Sequence, residues 1–136
     1  MALLSLVYGV CTVLGVDAAA LAAPNRPINA SEILGAVLFA PIAETLCLAA
    51  GVTVLSAFIS RVALVAIASA VAWGCLHAVF GVLWFFGTAW SFFVFTCGYI
   101  AWRRLSFGHA FLAAAVPHAL INSATFLLLA ILERAA

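Results

Sequence analysis

Long apolar runs, separated by short clusters of turn residues, organise this chain. Residues 2–23 form the first run, about 22 residues, enough for a helix across roughly 30 Å of hydrocarbon. Pro24, Asn25, Arg26, Pro27, Ile28 and Asn29 make a loop by their turn chemistry. Ser31 is a good helix N-cap, and residues 33–59 read as a second, long span. Ser60 and Arg61 mark a short turn, and residues 62–86 read as a third span. Residues 87–90 read as another turn, although no charge marks it. Residues 91–102 are short for a span, so the fourth borrows residues from the turn before it. Residues 103–108 are the next polar break. Residues 110–132 make the fifth span, closed by Glu133 and Arg134. No internal repeat or low-complexity segment interrupts the series. The pattern predicts an all-α fold: one integral membrane domain over residues 1–136, a polytopic transmembrane helix bundle of about five spans.

Composition agrees with the pattern. The 136 residues are 69% hydrophobic and 7% charged, whereas a soluble domain carries roughly 25% charged residues. A formal net charge of +1 and five scattered arginines give no basis for nucleic-acid binding. Residues 2–23 invite a signal-peptide reading through Ala18, Ala19 and Ala20. They lack a positively charged n-region and are interrupted by Asp17, so a retained span is expected. With five spans, one face carries Arg61, Arg103 and Arg104 and the other Arg26 and Arg134. The positive-inside rule then places the N-terminus in the cytoplasm. Cys11, Cys47, Cys75 and Cys97 all lie within apolar runs, without CxxC spacing, and read as small membrane-embedded hydrophobes. Cys47 and Cys75 each lie within three residues of a site candidate, which leaves a nucleophile role to consider.

Four polar residues change the picture: Glu44, His77, His118 and Asn122. Each lies deep inside an apolar run. An ionisable side chain at the bilayer centre costs about 2.5–3.5 kcal/mol on insertion scales, so such residues mark functional sites by default. The chain has four acidic residues and three histidines in all, and one acid and two histidines fall in these positions. Measured from the face holding the 24–31 loop, the expected depths of Glu44, His77 and Asn122 agree at roughly 14–17 Å. His118 is one turn deeper and shares a helix face with Asn122. The bland alternative is that each residue singly hydrogen-bonds a neighbouring helix. That reading suits Asp17 and Thr53, and His109 falls at an interfacial turn.

Two chemistries fit the four together. A carboxylate in a water-poor site can act as general base toward water, while a histidine or amide donor stabilises the oxyanion of a tetrahedral intermediate. Alternatively, Glu44, His77 and His118 match a three-ligand zinc site with an open position. Spacing alone does not choose between them, and no HExxH signature is present.

The motifs around these residues resemble the CAAX-protease and bacteriocin-processing family (CPBP, also called Abi) of intramembrane proteases. That family carries a Glu-Glu-x-x-x-Arg run, an aromatic-x-x-x-His and a His-x-x-x-Asn. The corresponding stretches here contain Glu44, then Trp73 to His77, then His118 to Asn122, and the resemblance covers about residues 33–125. It implies that Glu44 activates water, that His77 helps orient it, and that His118 with Asn122 forms the oxyanion site, with no cofactor. Zinc at Glu44, His77 and His118 ranks below this. The chain departs from the pattern at Thr45, in place of the family's second Glu, and at Ala49, in place of its Arg.

The function expected from the resemblance is a glutamic-type intramembrane endopeptidase in a bacterial inner membrane. It would cut membrane-anchored or C-terminal-tail protein substrates. The alternative is a non-catalytic binding or immunity protein on the same fold, which the departures at Thr45 and Ala49 favour. A transporter or proton relay would also want mid-membrane Glu and His, but no inverted repeat is evident.

Overall fold

The computed structural model describes residues 9, 10, 12, 13, 15 and 28–135. Apart from those five isolated positions, the expected first span at 2–23, with Asp17 and Cys11, lies outside the described residues. So do loop residues 24–27, including Arg26. Among the described residues from 28 onward the structure is all-helical, without strands.

Helix α1 runs continuously over Ala30–Phe58 and contains a π-helical turn at Gly35–Phe39. It begins earlier than expected because Asn29, not Ser31, is its N-cap. The Asn29 side chain accepts the Glu32 N–H at 3.0 Å, and Ser31 Oγ donates to the same oxygen at 2.6 Å. Helices α2 (Val62–Ala78), α3 (Val82–Trp102) and α4 (Phe107–Ala135) follow. The turn between α2 and α3 falls at residues 79–81, not at 87–90. Gly81 has φ +152°, a conformation that L side chains rarely adopt, whereas Gly87 is helical. The third expected span is therefore shorter, and the fourth is a full helix of 21 residues.

Three helical segments, Ala30–Phe58, Val82–Trp102 and Phe107–Ile131, are long and apolar enough to cross a membrane. Helix α2 is apolar too, and its 17 residues stand at the lower end of the spanning range. Large apolar side chains such as Phe39, Phe58, Val79 and Trp90 point outward from the bundle. A helix apolar on its outer face suits lipid rather than water. The core is made by Leu48, Val52, Val65, Phe92, Phe95 and Tyr99 among others.

Close approach of backbones holds the helices together, as expected where burial in lipid supplies little drive for association. At Gly74 an added Cβ would meet the Phe85 ring at 2.9 Å and the Ala89 Cβ at 3.0 Å. Ser69 and Thr96, both buried, join α2 to α3 through a 3.0 Å hydrogen bond. In α4, Pro117 has no N–H for the Ala113 carbonyl. That carbonyl faces α3 at Gly98, where a Cβ would stand 3.1 Å from it. A cavity of about 90 Å³ is lined by Ser60, Val62 and Arg103. The α1–α2 and α3–α4 turns thus share one end of the bundle, the face to which the arginine pattern assigns Arg61, Arg103 and Arg104.

Candidate functional site

Measured from that arginine-bearing end at 1.5 Å per residue, Glu44 lies roughly 21 Å along α1, His77 roughly 22 Å along α2 and His118 roughly 16 Å along α4. The matched depth expected from the opposite face does not hold for His77, because α2 ends one residue after it. The three side chains meet nonetheless. Helical side chains lean toward the N-terminus, so His77 reaches back from the last turn of α2 into the bundle.

The meeting point is Glu44. Its Oε2 lies 3.8 Å from His118 Nε2 and 4.0 Å from His77 Nε2. Both distances are too long for direct hydrogen bonds. Each is short enough for one water oxygen to bridge Glu44 to that histidine at about 2.8 Å from both. Glu44 Oε2 and His118 Nδ1 are buried and make no hydrogen bond to the protein. Buried polar atoms are nearly always paired, so two orphans in one cluster call for a functional explanation.

Each ring is held from behind. His77 Nδ1 is 3.0 Å from the Trp73 carbonyl. A carbonyl only accepts, so Nδ1 carries the proton and donates, and a neutral His77 presents the lone pair of Nε2 toward Glu44. Trp84 stacks on His77 at 6.2 Å and 13°. His118 stacks on Phe95 at 5.0 Å and 21°. Phe92 touches both imidazoles, with centroid distances of 6.0 Å to His77 and 5.6 Å to His118, and itself stacks on Trp73 at 4.3 Å. By hydropathy alone the aromatic residues near 84–95 read as lipid-facing bulk and interface belt. Trp84, Phe92 and Phe95 are instead the walls around the histidines. No feature of the hydropathy pattern separates them from Trp90, which faces outward.

Asn122 makes its hydrogen bond away from this cluster. Its Nδ2 donates to the Ala36 carbonyl in the π-turn of α1 at 2.7 Å. The family-like departures Thr45 and Ala49 are both buried, at 2% and 7% exposure, so packed small side chains occupy those positions. Cys47 and Cys75 are exposed on the outside of the bundle, and Cys97 is half-buried. Among the described residues, no group of three His, Cys, Asp or Glu side chains is arranged to hold a metal ion.

The fold and site define an all-helical protein with membrane-length apolar helices and a half-buried carboxylate facing two histidines. No protein-family model matches the chain, and comparison with characterised proteins and with solved structures finds no match either.

Proposed function

We propose that the chain is an intramembrane endopeptidase of the glutamic type, resembling the CPBP family, built on a bundle of about five spans in a bacterial plasma membrane. The observation that carries this reading is the triangle of Glu44 Oε2, His77 Nε2 and His118 Nε2, with separations of 3.8 and 4.0 Å about the carboxylate. A water molecule in that triangle donates one proton to Glu44 and the other to the lone pair of His77 Nε2. Its oxygen lone pair is then free to attack. Glu44 takes the proton as the oxygen bonds to a peptide carbonyl carbon. His118 Nδ1 is buried without an acceptor. A proton on Nε2 avoids leaving a buried N–H unpaired. Nε2–H of His118 thus faces the reacting centre and stabilises the oxyanion. Glu44 then hands its proton to the departing amine nitrogen, the C–N bond breaks, and a carboxylic acid and an amine leave.

The substrate class follows from depth. The site stands roughly 16–22 Å from one end of an apolar bundle and beside the α2–α3 turn at the other, so a segment lying in the bilayer reaches it. Membrane-anchored proteins and hydrophobic C-terminal tails are such substrates.

The test is Glu44→Gln in cells. This change preserves size but removes the base, and general-base loss lowers rate by about 100- to 10,000-fold. Mass spectrometry of membrane proteins should show tails retained in cells carrying the variant and trimmed in cells carrying the native chain. The protein itself should remain in the membrane at normal abundance. Normal trimming by Glu44→Gln would refute the protease reading and leave the binding-protein alternative.

A further inference from the structure

Two irregularities of α1 coincide. Pro41 is buried within the helix, where it lacks an N–H and its ring crowds the preceding turn. Immediately before it the helix widens into the π-turn at Gly35–Phe39, and the Ala40 N–H bonds to the Gly35 carbonyl. The Ala36 carbonyl is thereby stranded. Its α-helical donor would be the Ala40 N–H, which is engaged with Gly35. Its π-helical donor would be residue 41, which is proline. The Asn122 amide, from α4, donates to this stranded oxygen at 2.7 Å. A carbonyl cannot donate, so the amide orientation is determined chemically: nitrogen faces Ala36.

We infer that Asn122 is a positioning residue, a clamp that substitutes for the main-chain donor denied to Ala36 and so ties the π-turn of α1 to α4. Glu44 sits one turn beyond the π-turn and Pro41. His118 sits one turn from Asn122 on the same face of α4. The clamp therefore sets the relative height of α1 and α4 at the point where Glu44 and His118 face each other. Without it, the widened turn is free to slide or relax to α-helix, which moves Ala36 and Glu44 relative to one another. The catalytic consequence rests on the function proposed above. The clamp itself does not.

Replacing Pro41 with alanine restores an N–H. If the π-turn persists, that N–H serves Ala36 directly. If the helix relaxes to α, the Ala40 N–H serves it instead. Either way Asn122 becomes dispensable to the carbonyl. Full-length protein in detergent micelles is compared as native, Asn122→Ala, Pro41→Ala and the double variant, by amide hydrogen exchange over residues 36–44. Asn122→Ala alone should speed exchange there by about 5- to 160-fold, the range for leaving one buried carbonyl unpaired. In the Pro41→Ala background the same change should alter exchange by less than about 2-fold. An equal effect in both backgrounds would overturn the clamp. Should Pro41→Ala fail to fold, Asn122→Leu keeps the approximate shape and removes the donor in every protonation state. It should exchange at least as fast as Asn122→Ala, and native-like protection would overturn the clamp. Exchange is read without substrate, so it is independent of Glu44→Gln processing. Lost processing by Asn122→Ala with unchanged exchange would also overturn the clamp and make Asn122 an oxyanion donor.

Discussion

Replacing Gly74 with alanine sets two effects of known sign against each other. Glycine is worse than alanine in a helix interior by about 1 kcal/mol, so propensity alone favours the substitution. The structure opposes it. The new Cβ would lie 2.9 and 3.0 Å from two atoms of the Phe85 ring and 3.0 Å from the Ala89 Cβ. The optimum carbon–carbon separation is about 3.5–4.0 Å, so the shortfall is roughly 0.5–1 Å on two sides. The Phe85 ring can rotate, but the Ala89 methyl group is fixed to the α3 backbone. Relief requires α2 and α3 to part along the helix pair that carries Trp73, His77, Trp84 and Phe92. Overpacking of this kind destabilises by about 1–3 kcal/mol, which exceeds the propensity gain at most of its range. Gly74→Ala should therefore lower the denaturation midpoint in detergent and reduce processing. Gly51 and Gly87 are the controls, because a Cβ at either meets nothing within 4 Å. Alanine there should be neutral or stabilising. The decisive measurement is the ordering of the three variants in one unfolding series. If Gly74→Ala proved as stable as Gly87→Ala, the close α2–α3 approach would be wrong, and with it the placement of His77.

Two further outcomes are expected. Cys47→Ala should leave processing within about 2-fold of native, because Cys47 is exposed on the outside of the bundle; loss of activity in a folded protein would replace the water mechanism with a thiol one. Purified active protein should keep its activity in chelator and carry less than stoichiometric zinc; activity lost on chelation and restored by zinc would move Glu44, His77 and His118 into a ligand set.

Much of the site was legible because lipid makes polar residues conspicuous. In a chain with 7% charged residues, a Glu and two His within apolar runs stand out without any knowledge of the fold, and the structure places them about one carboxylate oxygen. The aromatic walls were not legible. A Phe that faces lipid and a Phe that faces a histidine satisfy hydropathy equally, so nothing in the sequence distinguishes Phe92 from Trp90. The same holds for Asn122. Its spacing from His118 was visible, but its partner, Ala36, is 86 positions away and needs a hydrogen bond only because of a π-turn that no residue type announces.

Taken by itself, the sequence determined the class of structure: apolar helices of membrane length, broken at polar turns, with a few ionisable groups inside them. It did so because backbone groups in hydrocarbon must be satisfied within the segment, which leaves helices as the economical solution for runs of this length. Tertiary structure decided where the helices end and which faces meet. The turn at residues 79–81 is apolar on both sides, so the change of solvent that marks a helix end in water is missing. It is marked only by the positive φ of Gly81 and by the fit of Gly74 against Phe85 and Ala89. Backbone conformation and close packing are properties of the folded pair of helices. Neither is carried by the hydropathy of either strand of sequence alone.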